Sequence, residues 1–201
     1  MADAVENPAL VLASASPRRL DLLRQIGIAP KIVDPAHLDE SPRAAELPAP
    51  HARRLAEEKA RAVAARHPGC YILAADTVVA CGRRILPKAE DAATARKCLA
   101  LLSGRRHRVH GGVCLIGPDG RARLRVVSTI VSFKRLTPGE IDSYVASGEW
   151  DGKAGGYAIQ GLAARFVTAV SGSYSNIVGL PLFETAAMLD GLGFKSAEPL
   201  K

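Results

Sequence analysis

Nine residues of this 201-residue chain have the types and placement to handle phosphate: Ser14, Arg18, Arg19, Glu40, Lys59, Asp76, Lys88, Lys153 and Gln160. Cations and acids recur where elements begin or end, or on inward faces. Several cations with at least one inward carboxylate suit a polyphosphate–metal site. Phosphoryl chemistry needs charge neutralisation and positioning more than a covalent nucleophile. Magnesium needs only one or two protein carboxylates beside phosphate oxygens and water. No Ser–His–Asp or Cys–His set declares itself. The five histidines form no HxxxH or HExxH pattern, so a structural zinc site is not expected.

The elements that must position these residues can be read along the chain. Residues 12–23, LASASPRRLDLL, combine a helix start with a charge problem. Ser16 suits the N-cap and Pro17 the first helical position. Leu20, Leu22, Leu23 and Ile26 supply an apolar face, and Gly27 stops the helix. Cations are disfavoured at the positive end of the helix dipole, yet Arg18 and Arg19 stand there. A capping box would place Glu or Gln at Arg19. A phosphate would offset both arginines and the free N–H groups.

A proline-rich loop, DPAHLDESPRAAELPAPH, carries Asp39 and Glu40. Exposed loop acids are ordinary, so composition alone leaves Glu40 a surface residue. The spacing predicts a helix over 52–65 with Ala52, Leu55, Ala56, Lys59 and Val63 on one face. Lys59 therefore either snorkels to water along its stem or points inward at an anion. Residues 70–81, CYILAADTVVAC, predict a central strand interrupted by Asp76. A buried carboxylate there needs a cation, a metal or several donors; the alternative is a strand-end cap.

Lys88 precedes a helix from about Asp91 to Leu102. Strands over 109–116 and 123–133 join through the hairpin turn GPDG, and TPGE opens a helix to about Ala146 as a capping box. In GEWDGKAGGYAIQG, residues 148–161, five glycines let backbone approach a ligand, and Lys153, Tyr157 and Gln160 are polar handles suited to a nucleotide. A strand over 162–170, a turn at SGSYSN and a last helix from Pro181 complete the chain. The alternation predicts an α/β fold with a mixed sheet, one continuous domain over residues 1–201 with a cleft between two lobes.

The totals exclude several classes. Hydrophobic residues at 48% and charged residues at 23% describe a globular chain. The net charge of +7 favours an anionic partner. Its dispersal and the 4% aromatic content argue against nucleic acid. No apolar run has transmembrane length and no signal-peptide pattern opens the chain, so a cytoplasmic location without membrane contact is expected. Cys70, Cys81, Cys98 and Cys114 form no CxxC pair and are expected to be core thiols in a reducing compartment.

The sequence resembles the Maf family of nucleoside triphosphate pyrophosphatases, named also for inhibition of septum formation. The matching segments are LASASPRRLDLL, LDE at 38–40, AEEKA at 56–60, AADTVV at 74–79, LPKAEDA at 86–92, LSGRRHRV, YVASGEWDGKAGGYAIQG and GSYSNIVGLPL, together spanning roughly 9–190. The resemblance implies an elongated mixed sheet flanked by helices, bilobed with a central cleft, akin to inosine-triphosphatase-like enzymes. It implies hydrolysis of a nucleoside triphosphate to monophosphate and pyrophosphate with a divalent metal, Mg2+ or Mn2+. Carried over by position, Asp76 is the general base and a metal ligand, and Glu40 a metal ligand. Arg19 and Lys88 act in catalysis, with Ser14, Arg18 and Lys59 on the phosphates. A homodimer enters only through the resemblance.

One branch of the family prefers dTTP and UTP, another 7-methyl-GTP. IQG and KAGxY resemble the pyrimidine branch, in which Arg18, Thr77 and Gln160 occupy positions linked to specificity. A glutamine amide can match N3–H and O4 of uracil or thymine. The chain departs from the family pattern at Gly156, Gly111 and Ala89, where alanine, threonine and proline are usual; no charged site residue is lost. The rival readings are a house-cleaning pyrophosphatase for modified nucleotides and a nucleotide sensor of cell division.

Overall fold

The computed structural model describes residues 8–195. Its centre is a seven-stranded mixed sheet. β1 (Leu10–Leu12) lies parallel to β2 (Ile32–Val33) on one side and to β3 (Tyr71–Cys81) on the other. β3 runs antiparallel to β6 (Arg106–Ile116), β6 to β7 (Ala122–Phe133), and β7 to β9 (Val167–Ser171). β4 (Arg84–Ile85) folds back on the end of β3. A separate two-stranded ladder joins β5 (Lys88–Ala89) to β8 (Lys153–Ala154). The helices are α1 (Pro17–Gln25), α2 (Pro48–Ala64), α3 (Ala92–Leu102), α4 (Pro138–Ala146), α5 (Tyr174–Val178) and α6 (Leu182–Gly191).

Side chains alternate across a strand, and that parity builds two cores. Val11, Ala13, Ile72, Ala74, Cys114 and Ile116 pack against Ala56, Ala60 and Val63 of α2. Leu10, Leu12, Leu73, Ala75, Val79 and Leu115 face the opposite side, with Leu22 and Leu23 of α1, Leu99 and Leu102 of α3 and Leu189 of α6. Asp76 has the parity of Ile72 and Ala74, so it falls on the α2 face. Thr77 has the other parity. The buried stripe of α2 runs His51, Ala52, Leu55, Ala56, Lys59, Ala60 and Val63. Strand parity and helix stripe therefore bring Asp76 and Lys59 to the same layer. Gly112, the register partner of Asp76, permits close approach of the helix: a Cβ there would lie 2.1 Å from the Ala52 carbonyl oxygen.

Most expected elements are present, including the capping box of Thr137 and Glu140 and the left-handed Gly27 after α1. Three expectations need correction. Ser16 stands at the N-cap of α1 but makes no side-chain cap; the Ser14 hydroxyl accepts the Ser16 N–H at 3.2 Å instead. Residues 162–166 form a 3-10 turn ahead of β9 rather than its first half. SGSYSN is not only a turn: Ser173 caps α5 by accepting the Asn176 N–H. Of the four free thiols, Cys98 and Cys114 are buried and Cys70 and Cys81 half-buried. Among the described residues no helix is long and apolar enough to cross a membrane.

Candidate active site

A cleft opens where β1, β3 and α2 of the main sheet face the β5–β8 ladder, the 155–160 segment and the end of α5. It is lined by five cations, Arg18, Arg19, Lys59, Lys88 and Lys153, against two carboxylates, Glu40 and Asp76. Ser14, Thr77 and Gln160 also line it. Every residue singled out in the sequence for phosphate or metal chemistry thus reaches one cavity.

Arg19 is the best-anchored cation. Its Nη1 donates to Ser14 Oγ at 2.8 Å, its Nε to the Gly179 carbonyl at 3.0 Å and its Nη2 to Thr77 Oγ1 at 3.3 Å. Thr77 Oγ1 also donates to the Gly179 carbonyl at 3.4 Å. Burial pulls the Arg19 guanidinium below its ordinary range, while attraction to Asp76 and Glu40 works against that pull. An arginine stays protonated under such shifts.

Arg18 is held differently. Its buried Nε has no hydrogen-bond partner. Burial lowers the Arg18 guanidinium. The Lys153 ammonium is lowered too, by burial first and then by the charge of Arg18. Its Nζ donates to the Asp151 carbonyl at 2.8 Å. Cations that repel one another around an unsatisfied buried N–H form a site for an anion.

The carboxylates meet on Lys59. Its Nζ lies 2.7 Å from Asp76 Oδ1 and 2.5 Å from Glu40 Oε1. Lys88 donates to the other oxygen of Glu40. Lys59 and Asp76 are 6% and 5% exposed, so the pair is internal and the snorkelling alternative is excluded. Burial works to raise the Glu40 carboxyl, but the hydrogen bonds from Lys59 and Lys88 outweigh it and hold it at about 2. Asp39, its neighbour, turns outward and accepts the Ser41 N–H.

Glu40 reaches the cleft because its loop is tethered at both ends. Asp34 accepts from Arg66 Nε at 2.9 Å and lies 2.7 Å from His67 Nε2. Glu46 accepts from Arg54 Nε at 2.7 Å and Nη2 at 2.8 Å, and that Nη2 also donates to the Ser41 carbonyl. Sequence reasoning missed both tethers, as it missed the Gly179 carbonyl. Each joins residues distant in the chain, so no local pattern carries them.

The far end of the cleft is formed by the 155–160 segment. Tyr157 borders it but is no free polar handle, because its hydroxyl lies 2.7 Å from Nε2 of the buried His107. Gln160 is exposed at the rim of the cleft.

Fold and site together define a class: α/β proteins with a cleft of surplus positive charge beside paired carboxylates. The chain matches the model of the Maf-like proteins over residues 9–192 and belongs to the Maf family. It is 76% identical over 185 residues to a dTTP/UTP pyrophosphatase of Paramagnetospirillum magneticum, covering 92% of this chain and 97% of that protein. It is 64% identical over 188 residues to a dTTP/UTP pyrophosphatase of Caulobacter vibrioides, covering 94% and 97%. Among solved structures, a HAM1 protein of Coxiella burnetii overlaps it with a TM-score of 0.48 at 17% identity, covering 92% of this chain and 99% of that one.

Proposed function

We propose that the protein hydrolyses nucleoside triphosphates, dTTP and UTP foremost, to the monophosphate and pyrophosphate. The observation that carries this reading is the convergence of Asp76 and Glu40 on one cation within a cleft of surplus positive charge. The relatives named dTTP/UTP pyrophosphatase support the substrate.

The carboxylate pair fits a divalent metal. Two hard oxygen donors already share a cation. Glu40 and Asp76 would hold Mg2+ or Mn2+, which would supply neutralisation of phosphate charge when bound.

Asp76 accepts the proton of the attacking water. The water oxygen bonds to the α-phosphorus, and the bridging bond to the β-phosphoryl oxygen breaks. Pyrophosphate leaves with that electron pair. Arg18, Arg19, Lys59 and Lys88 hold the phosphate charge as it moves to the leaving group. Ser14 and Thr77 fix Arg19, and Lys153 adds charge opposite Arg18. The Gln160 amide reads N3–H and O4 of the pyrimidine. The reaction belongs in the cytoplasm, where the four free thiols persist.

Product analysis tests the proposal. The protein with magnesium is given dTTP, UTP, CTP, ATP, GTP, ITP and 7-methyl-GTP, and pyrophosphate is scored against orthophosphate. Pyrophosphate from dTTP and UTP, lost in Asp76→Asn, is expected. Turnover mainly of 7-methyl-GTP or ITP overturns the pyrimidine assignment. Tight binding without turnover of any triphosphate overturns the reaction and favours a sensor.

A further inference from the structure

Charges of alternating sign run along the cleft: Lys88, Glu40, Lys59, Asp76. We propose that Lys59 is an internal counter-cation that occupies the metal's seat when no metal is bound, so that metal and triphosphate each tighten the binding of the other. The proposal rests on reading the cleft as a metal–triphosphate site.

The Lys59 ammonium bridges the two carboxylates at 2.5 and 2.7 Å, the place a divalent ion must take to use both. A metal arriving alone has to expel that ammonium. Lys59 is 6% exposed and shares the cleft with Arg18, Arg19, Lys88 and Lys153, so the expelled charge is pushed towards other cations. A triphosphate arriving alone meets the opposite obstacle. Lys59 and Lys88 are already neutralised by Glu40 and Asp76, and its charge faces those carboxylates. When both arrive, every partner is exchanged. The carboxylates pass to the metal and the two ammonium groups pass to the phosphates.

The residue type suits this exchange. Lysine is a point charge with three donors on a flexible stem, so its head can turn while the stem stays packed on α2. An arginine fork would be fixed to one partner, as Arg19 is by Ser14, Thr77 and Gly179.

The test is Mn2+ binding to the full chain, followed by the electron paramagnetic resonance of free Mn2+. It is run with and without α,β-methylene-dUTP, which cannot be cleaved between its α and β phosphorus atoms. Manganese bound by the analogue alone is subtracted. For the wild type, the analogue is expected to tighten Mn2+ binding by about tenfold or more. Lys59→Met is expected to bind Mn2+ without the analogue at least about tenfold more tightly than the wild type, with a smaller gain from the analogue. Lys153→Met removes the same charge from the same cleft without touching either carboxylate, and is expected to change Mn2+ binding in the absence of the analogue by less than about threefold.

Equal Mn2+ affinity in Lys59→Met and wild type overturns the proposal, as does an equal gain in Lys153→Met. If Lys59→Met does not fold by circular dichroism, the wild type decides: Mn2+ bound as tightly without the analogue as with it overturns the proposal. These readouts need no turnover. Coupled binding with no pyrophosphate formed would fell the proposed reaction and leave the counter-cation standing; pyrophosphate formed with uncoupled metal binding would do the reverse.

Discussion

The two ends of the cleft are held by different forces. At the phosphate end, Lys59, Glu40, Asp76 and Lys88 are held by one another through ion pairs. At the base end, the 155–160 segment is held by packing and by backbone N–H hydrogen bonds. Tyr157 and Phe133 meet edge to face with centroids 4.9 Å apart, and His107 packs edge-on against both. The Ala158 N–H donates to Tyr144 Oη at 3.0 Å, and the Leu162 N–H to Glu149 Oε2 at 2.7 Å. Ion pairs can change partners when a charged ligand arrives, whereas a packed aromatic cluster has one arrangement. The contrast matches the proposed division of chemistry to the first end and selectivity to the second.

The largest effect should come from the charged end. Asp76→Asn keeps the shape, removes the proton acceptor and leaves Lys59 with one carboxylate. Turnover is expected to fall by about a thousandfold, measured as pyrophosphate release under saturating substrate. Arg19→Gln comes next, because it leaves Ser14, Thr77 and the Gly179 carbonyl without their shared donor. A loss of about a hundredfold in kcat/KM is expected in the same assay. Activity surviving either change would break the assignment of chemistry to this end.

At the base end the expected effects are on stability. His107 is 2% exposed, and burial pulls its imidazole from 6.5 down to about 4. The folded form therefore stays neutral between those values while the unfolded chain takes up a proton. Stability tied to this group is full above about pH 6.5 and is lost as pH falls towards 4, to a total of about 3 kcal/mol. His107→Phe removes the term, so the fall in Tm between pH 6.5 and 4 should be shallower in the variant, by calorimetry. Parallel pH profiles would contradict it.

Gly155→Ala probes the same wall more locally. Gly155 has φ +69°, and a Cβ there would lie 2.7 Å from Cγ1 of Val79. A loss of about 2 kcal/mol in denaturant unfolding is expected, from backbone strain and overpacking together. Pyrophosphate release per folded molecule should change far less than in Asp76→Asn. A thousandfold loss in Gly155→Ala would erase the distinction between the two ends.

Lys59 and Asp76 were legible in the sequence because each interrupts an apolar pattern, one a helical stripe of period 3.6 and the other a near-continuous strand run. The arginine pair was legible because it violates the charge preference of a helix start. Glu40 was not legible from residues alone. Nothing local distinguishes it from Asp39, which faces outward, and its place depends on the Asp34 and Glu46 tethers to α2 and the turn after it. α5 was missed because a five-residue helix is too short to show a period. Its function depends on Asn176, whose buried amide nitrogen donates to the Val109 and Val127 carbonyls and to Thr129 Oγ1, and so pins the helix that presents Gly179 to Arg19. Gly111 makes room for that side chain: a Cβ there would lie 1.9 Å from Asn176 Oδ1. One departure from the family pattern thus has a packing consequence that the sequence did not announce.

The central claim is that water, with its proton taken by Asp76, attacks the α-phosphorus. Hydrolysis of dTTP in water enriched in heavy oxygen, with both products resolved by mass spectrometry, tests it most directly. The label is expected in the thymidine monophosphate and absent from the pyrophosphate. Label in the pyrophosphate would place the attack on the β-phosphorus and contradict the account.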